Sequence, residues 1–369
     1  MSIRHIGVVG AGVMGSEIAF AAAAAGIEVV LRDLEPALVE RGLAHARSIA
    51  ERRVARGAMS QEEADALLGR ITPAVDDGAL AGCELAIEAV TELMDVKRDV
   101  FRRLDAALGP DALLASNTSG LSITELGRAT RRPERVLGLH FFNPASTMRL
   151  VEVIRGADTS AATVAAGREL VERLGKTPVE VAECPGFLVN RVLVRALCEA
   201  YRRAAETGAA PAVADAAVVA AGPAPMGPFA LADLIGIDTL AHVRRELAAA
   251  YGERFDDGGQ LDRLVAAGRL GRKSGAGFYE SPVEGVEPDA IGADVAERYY
   301  LGALDEARRC LEERVAAPED LDLALRLGAG WSEGPLAWFR AQGDAARERM
   351  ARLARDAGAR FGRLAAEDA

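Results

Sequence analysis

The 369-residue sequence predicts an α/β chain, with a doubly wound parallel sheet followed by an all-helical region present in two tandem copies. Three observations predict it. Residues 6–15, IGVVGAGVMG, take an apolar strand through a glycine turn into a helix. Strand-like apolar runs then alternate with helical periods, the pattern of a parallel sheet with crossover helices. From Cys184 the pattern is helical alone, and it repeats at an offset of 107 residues.

The glycine turn carries the most chemistry. Ile6 to Val9 read as a buried strand, and Gly10-Ala11-Gly12-Val13-Met14-Gly15 opens a helix that runs through Ala25. Gly10 permits the turn, Gly12 has no Cβ to block a pyrophosphate, and Gly15 lets the helix pack on the strand; this is the Rossmann-type fingerprint. The N–H groups of the first helical turn face the phosphates. Ile27 to Leu31 form a second strand, and Asp33 stands at its end, eighteen residues beyond Gly15. A carboxylate there accepts the ribose hydroxyls and repels a 2′-phosphate, so NAD is expected rather than NADP. Arg32 is expected to be a solvated residue stacking near the adenine, with contact to a 2′-phosphate as the alternative.

Residues 35–56 and 60–68 read as two helices, the second opened by a Ser60/Glu63 capping box. They form a helical hairpin inserted in the first domain. Its Arg41, Arg47, Arg52, Arg53 and Arg56, mixed with Glu40 and Glu51, read as a solvated, salt-bridged face, with contact to a phosphate-bearing substrate arm as the alternative. Strands follow at 71–75, 85–89, 112–115 and 136–141, with helices at 95–108 and near Ser122. Ligands bind beyond the carboxyl ends of such strands, so the segments after Ala89, Ala115 and Leu139 are expected to border the cofactor.

Pro185-Gly186 marks a boundary, and an amphipathic helix runs from about Phe187 to Thr207. The repeat then matches Glu199 with Glu306, Arg202 with Arg309, Asp215 with Asp322, Gly227 with Gly334 and Pro228 with Pro335. The expected domains are 1–183, 184–285 and 286–369, the last a degenerate second copy of the one before it.

A formal charge of -11 argues against nucleic acid, whose phosphates require a concentrated basic face. No apolar run has the length of a membrane span, and a cytoplasmic protein is expected. Cys83, Cys184, Cys198 and Cys310 are scattered without a CxxC pair, and no two of the four histidines lie at ligand spacing. Buried thiols are expected, and neither a metal nor a disulfide framework.

His140 ends the apolar segment Val136 to Phe141, at the same sheet edge as the glycine turn. Glu152 lies twelve residues later in Leu150-Val151-Glu152-Val153-Ile154, and a carboxylate is rarely buried without a partner. If Pro144 turns the chain so that the two strands run side by side, Glu152 accepts the Nδ1–H of His140, and the other ring nitrogen takes a proton. Oxidising an alcohol needs such a base while a hydride leaves the same carbon for nicotinamide.

The motifs VVGAGVMG, IEAVTE with Lys97 after it, ASNTSGLSITEL, RPERVLGLHFFNP, MRLVEVI, CPGFLVNR, MGPFALADLIG and GRLGRKSGAGFY together resemble the 3-hydroxyacyl-CoA dehydrogenase family over residues 4 to about 280. The resemblance implies an NAD-dependent enzyme that interconverts a short (3S)-3-hydroxyacyl thioester and its 3-oxoacyl form. It makes His140 the general base, Glu152 the acid that orients it, Ser119 the hydroxyl that binds the 3-oxygen, and Asn190 the helical-domain residue that completes the pocket. Gly10, Gly12, Gly15 and Asp33 match its dinucleotide contacts, and Glu92, Lys97, Asn143 and Lys273 stand where further ones occur.

Three positions depart from the family's pattern. Gly120 replaces a second serine, Ala145-Ser146-Thr147 replaces Val-Pro-Val, and Ala224 precedes Pro225 where a histidine is usual. Two hydroxyls on a pocket wall suggest a more polar substrate. The alternatives to a CoA thioester are therefore a hydroxyacyl or glyceryl group on an acyl carrier protein, a free hydroxy or sugar acid, and a non-catalytic NAD-binding role. Short family members pair through the helical domain. The second copy here suggests an internal pseudo-dimer in a monomeric chain, with a homodimer as the alternative.

Overall fold

The computed structural model describes residues 3–281, 283, 285–356 and 358–361, and the chain divides into two compact units, Met1–Cys184 and Pro185–Ala369. That boundary falls one residue beyond the expected end of the first domain.

The first unit alternates strands and helices: β1 His5–Val9, α1 Val13–Ala24, β2 Glu28–Arg32, α2 Pro36–Ala55, α3 Gln61–Leu68, β3 Ile71–Ala74, β4 Leu85–Glu88, α4 Met94–Ala107, β5 Leu113–Ser116, α5 Ile123–Arg128, β6 Val136–Phe141, β7 Leu150–Arg155, α6 Ala161–Arg173 and β8 Thr177–Ala182. The sheet runs β3-β2-β1-β4-β5-β6-β7-β8. Every adjacent pair is parallel except β6 with β7. From β1 the chain goes to β2 on one side and later returns to β4 on the other, and a crevice opens at that switch point beyond the strand ends.

Ile6, Val8, Ile87, Leu137, Leu139, Val151 and Val153 are fully buried in one core, as strands covered on both faces require. The expected capping box is present: the Ser60 hydroxyl accepts the Glu63 N–H at 3.1 Å, and the Glu63 carboxylate accepts the Ser60 N–H at 2.8 Å. Two elements, α6 and β8, were not anticipated. The strand reads TPVEVA, lies at the sheet edge beside β7 and is half-buried, so its apolar signal is diluted and its proline is tolerable there.

The second unit is helical: α7 Val189–Thr207, α8 Pro211–Ala221, α9 Pro228–Ile235, α10 Ile237–Tyr251, α11 Gln260–Ala266, α12 Ala290–Glu312, α13 Pro318–Gly328, α14 Pro335–Ala341 and α15 Asp344–Asp356. Asp215 on α8 accepts the Phe229 and Ala230 N–H groups at the start of α9, both at 2.9 Å. Asp322 on α13 does the same for Leu336 and Ala337 at 2.9 and 3.0 Å. Each aspartate thus satisfies amides that the first helical turn leaves without partners.

Helices α7 and α12 pack along one another. Arg191 on α7 pairs with Glu306 on α12 at 2.7 Å, and Arg298 on α12 faces Glu199 on α7 at 3.8 Å. Among the described residues no helix is long and apolar enough to cross a membrane. Cys83, Cys198 and Cys310 are buried and Cys184 is half-buried.

Candidate active site

The glycine turn separates into parts that the fold needs and one that it does not. Gly10 has φ +102°, and a Cβ there would lie 2.5 Å from the Ala89 carbonyl oxygen. A Cβ on Gly15 would overlap the Gly10 carbonyl oxygen. A Cβ on Gly12 would meet nothing within 4 Å. Gly10 and Gly15 therefore answer to the chain's own packing, whereas the bareness of Gly12 leaves room for a partner outside it.

That room is a cavity of about 910 Å³ lined by Gly10, Gly12, Asp33, Arg41, Ala89 and Val90, at the upper end of what a small-molecule site needs. Asp33 stands on its wall, with one carboxylate oxygen accepting the Ala11 N–H at 2.6 Å and the other the Leu34 N–H at 2.6 Å. The residues present fit a dinucleotide: a helix N-terminus for the phosphates, a bare glycine, and a fixed carboxylate.

Arg32 corrects one expectation. It is 5% exposed rather than solvated, and its Nε lies 2.9 Å from Asp77 in the turn after β3. It ends an internal strand and lines the same cavity as Asp33, so what changes is its solvation: its charge is paired with Asp77 rather than left to water.

Beyond β4 and β5 lies a connected polar network. Glu88, fully buried at the end of β4, accepts the Lys97 ammonium at 2.6 Å and the Val90 N–H at 2.7 Å on one oxygen, and the Ser116 hydroxyl at 2.6 Å on the other. Lys97, 1% exposed, also approaches the Val90 carbonyl at 3.3 Å and Glu92 at 3.1 Å. Glu92 in turn accepts the Thr118 hydroxyl at 2.5 Å and the Ser119 N–H at 2.8 Å. Asn117 accepts the Phe141 N–H at 2.9 Å, so the Ser116–Ser119 loop is also fastened to the strand that carries His140.

His140 and Glu152 are partners in the β6–β7 register, and the His140 Nδ1 lies 2.6 Å from a Glu152 oxygen. Glu152 is fully buried and His140 is 5% exposed. The His140 ring also leans on Phe142, with centroids 4.6 Å apart. A carboxylate on the imidazole Nδ1 fixes ring orientation and tautomer, leaving proton exchange to Nε2. Asn143 follows, exposed, before Pro144.

The loop after Pro144 is more constrained than two pocket hydroxyls would suggest. The Ser146 hydroxyl and N–H both donate to Glu17 on α1, at 3.1 and 2.9 Å, and Glu17 also meets His45 Nε2 at 3.3 Å. Arg53 donates to the Ser146 carbonyl at 2.5 Å and lies over the Phe20 ring at 4.9 Å. Lys176 donates to the Ala145 and Met148 carbonyls, both at 2.6 Å. The Ser146 hydroxyl is thus committed to the protein, and Thr147 is the exposed hydroxyl. Arg53 accordingly leaves the hairpin's solvated face, while Arg41, Arg47, Arg52 and Arg56 remain exposed on it.

In the second unit, Asn190 lies in the first turn of α7. Lys273 sits in a short helical turn, with its Nζ 2.7 Å from Asp238. The first unit gathers Ser119, Glu92 and Lys97 in one network and places the glycine turn and Asp33 in one cavity. Sequence reasoning missed Glu88, Ser116, Asn117 and Thr118. The argument that found Glu152, a carboxylate inside an apolar strand, applies equally to Glu88 in Leu85-Ala86-Ile87-Glu88.

Comparison with known proteins bears on the fold and the family. Residues 5–184 match the 3-hydroxyacyl-CoA dehydrogenase NAD binding domain, and residues 186–281 and 295–367 match the C-terminal domain of the same family. The fatty acid oxidation complex subunit alpha of Idiomarina loihiensis is 36% identical over 351 residues, covering 89% of this chain and 49% of that protein. The chain therefore spans about half the length of the curated relatives it matches. The crystal structure of 3-hydroxybutyryl-CoA dehydrogenase from Escherichia coli superposes with a TM-score of 0.90 at 31% identity, over 98% of this chain and 96% of that one. That of (S)-3-hydroxybutyryl-CoA dehydrogenase from Ralstonia eutropha gives 0.74 at 39% identity, over 76% and 100%. With matches to both family domains across nearly its whole length, the chain belongs to the 3-hydroxyacyl-CoA dehydrogenase family.

Proposed function

We propose that the chain interconverts a short (3S)-3-hydroxyacyl-CoA and its 3-oxoacyl-CoA with NAD. The observation that carries this reading is the buried His140–Glu152 pair at 2.6 Å, in a sheet whose first turn is a dinucleotide fingerprint. Bound NAD supplies the hydride acceptor. His140 Nε2 removes the hydroxyl proton, and Glu152 stabilises the imidazolium that results. Ser119 donates to the substrate's 3-oxygen, and Asn190 fixes the thioester end. Asp33 selects NAD, a preference supported by Arg32, whose charge is already answered by Asp77. The inward turn of Ser146 leaves a less polar wall than the sequence suggested and favours an ordinary acyl chain on CoA over a polar tethered group.

The test is NADH oxidation with acetoacetyl-CoA, beside NADPH and beside the same acyl group on an acyl carrier protein. Rapid NADH oxidation with the CoA thioester supports the reading. Activity confined to the carrier protein, or to a free acid, overturns the substrate class.

We read residues 184–285 and 286–369 as two copies of one helical domain. The matched Asp215 and Asp322 contacts support this, as do the reciprocal Arg191–Glu306 and Arg298–Glu199 pairs, which an offset of 107 interchanges. Reciprocity of this kind marks an isologous contact, here made within one chain. Gly302 on α12 allows the close crossing, since a Cβ there would lie 3.3 Å from Ala196 Cα, and the matching position on α7 is Arg195. An arginine there disfavours the same crossing between two α7 helices, which supports a monomeric chain with an internal pseudo-dimer over a homodimer. Light scattering that returned twice the chain mass at low concentration would contradict this.

A further inference from the structure

We infer that Glu88 is a positioning residue for the proposed reaction, and that it acts through Lys97 and Glu92 to set the loop carrying Ser119. The inference rests on the function proposed above and assigns Glu88 a role that the motif resemblance does not give it.

Glu88 is fully buried, Lys97 is 1% exposed, and the two are 2.6 Å apart. A buried carboxylate and a buried ammonium persist only as a pair with their remaining hydrogen-bonding capacity filled. Both conditions are met here. Glu88 spends one oxygen on Lys97 and the Val90 N–H, and the other on the Ser116 hydroxyl. Lys97 spends its donors on Glu88, the Val90 carbonyl and Glu92.

An ammonium held this way has little surface left for a ligand. Its consequence lies one step further on, at Glu92. Lys97 draws one Glu92 oxygen to 3.1 Å, and the other oxygen then receives the Thr118 hydroxyl and the Ser119 N–H. Ser116, at the start of the same loop, is held by Glu88 directly. The loop is therefore gripped at both ends by one carboxylate, directly at Ser116 and through Lys97 and Glu92 at Thr118 and Ser119. The Asn117–Phe141 hydrogen bond fixes its middle to the His140 strand. Placement of the Ser119 hydroxyl relative to His140 depends on this chain of contacts, and misplacement of a positioned group by about 1 Å costs on the order of a hundredfold in rate.

The experiment compares Glu88→Gln, Lys97→Met, the double variant and Ser116→Ala with the wild type in the full chain. Hydrogen exchange of segment 117–121 reads the loop without reference to turnover, and NADH fluorescence titration reads cofactor affinity. We expect Glu88→Gln to speed exchange in 117–121 at least tenfold while α1 and β1 stay protected. NADH affinity should stay within about twofold, and kcat should fall ten- to a hundredfold with KM little changed. Lys97→Met should speed exchange in 117–121 in the same way, and exchange in the double variant should be no faster than in the poorer single, because both residues act on one loop. Ser116→Ala keeps both charges and should give a smaller effect in the same direction, which preserves the test if the charge variants do not fold.

Unchanged exchange in 117–121 overturns the inference. So does a loss of NADH affinity that accounts for the fall in kcat, which would make Lys97 a direct cofactor contact. A wild-type chain without dehydrogenase activity would overturn the proposed function instead, and the exchange comparison would still decide whether Glu88 sets the loop.

Discussion

Glu152 lies directly opposite His140 in the antiparallel β6–β7 register, and the two buried side chains meet at 2.6 Å. Their position puts the pair proposed for proton transfer where two strands enforce it, rather than on a loop. Side chains carried by paired strands hold their geometry with less help from their surroundings.

Gly12 and Gly15 make opposite predictions from one motif. A Cβ at position 12 meets no protein atom within 4 Å, and Gly12→Val is expected to fold with a thermal midpoint close to that of the wild type while NADH binding falls below detection. Gly15→Ala overlaps a backbone carbonyl and is expected to destabilise the first unit outright. Thermal unfolding and NADH fluorescence on the two variants check both; a Gly12→Val protein that binds NADH normally would remove the phosphate cradle from this turn.

Ser146 is expected to matter for stability and not for substrate choice. Its hydroxyl donates to the buried carboxylate of Glu17, and hydrogen bonds to charged groups contribute about 1.5–3 kcal/mol. Ser146→Ala should lose stability of that order in urea unfolding and keep its relative kcat/KM across acyl chain lengths. A shift in chain-length preference at unchanged stability would return Ser146 to the pocket wall.

Lys176 gives the loop a pH dependence. Burial, with the nearby Arg53 charge adding to it, pushes its ammonium down to about 8. A cation whose folded pKa lies below its unfolded value releases its proton on folding between the two, so its contribution to stability rises as pH climbs from about 8 towards about 10.4. The stability difference between wild type and Lys176→Met should therefore move in favour of the wild type from pH 7 to pH 10. Arg53→Gln should shift that change to higher pH. A difference that stays flat would show that Lys176 titrates normally.

Arg191 has a fully buried side chain and pairs with Glu306 and Glu313, each at 2.7 Å. Glu306 also receives Arg254 at 2.8 Å and Glu313 is about half exposed, so losing Arg191 leaves neither carboxylate fully stranded and costs less than the about 3–5 kcal/mol of an unpaired buried charge. Arg191→Met should destabilise the second unit by about 1–3 kcal/mol, and adding Arg254→Met, which leaves Glu306 with neither guanidinium, should cost more than either change alone. Equal stability of wild type and Arg191→Met in urea unfolding would contradict the role of this pair in holding α7 to α12.

Much of the first unit was legible because its causes are local. A glycine turn, a capping box and buried apolar strands each carry their own pattern, and the His140–Glu152 pair followed from asking what partners a carboxylate in an apolar strand. Glu88 satisfies the same question but was passed over, because Lys97 has an ordinary reading as a solvated helix residue and Ser116 comes from the neighbouring strand, beyond the whole of α4. Arg32 and Ser146 were misread for a related reason. Their burial depends on Asp77 and Glu17, and no local pattern in the sequence says that these carboxylates arrive there. The edge strand β8 was missed because a proline and half-burial weaken the alternation.

The most direct measurement of the central claim is single-turnover oxidation of bound NADH by acetoacetyl-CoA, in wild type and His140→Ala at equal NADH occupancy. Loss of a positioned general acid–base group costs about 10²–10⁴ in rate, so the variant should bind NADH as the wild type does and turn over that much more slowly. Near wild-type turnover by His140→Ala would contradict the assignment of proton transfer to the His140–Glu152 pair.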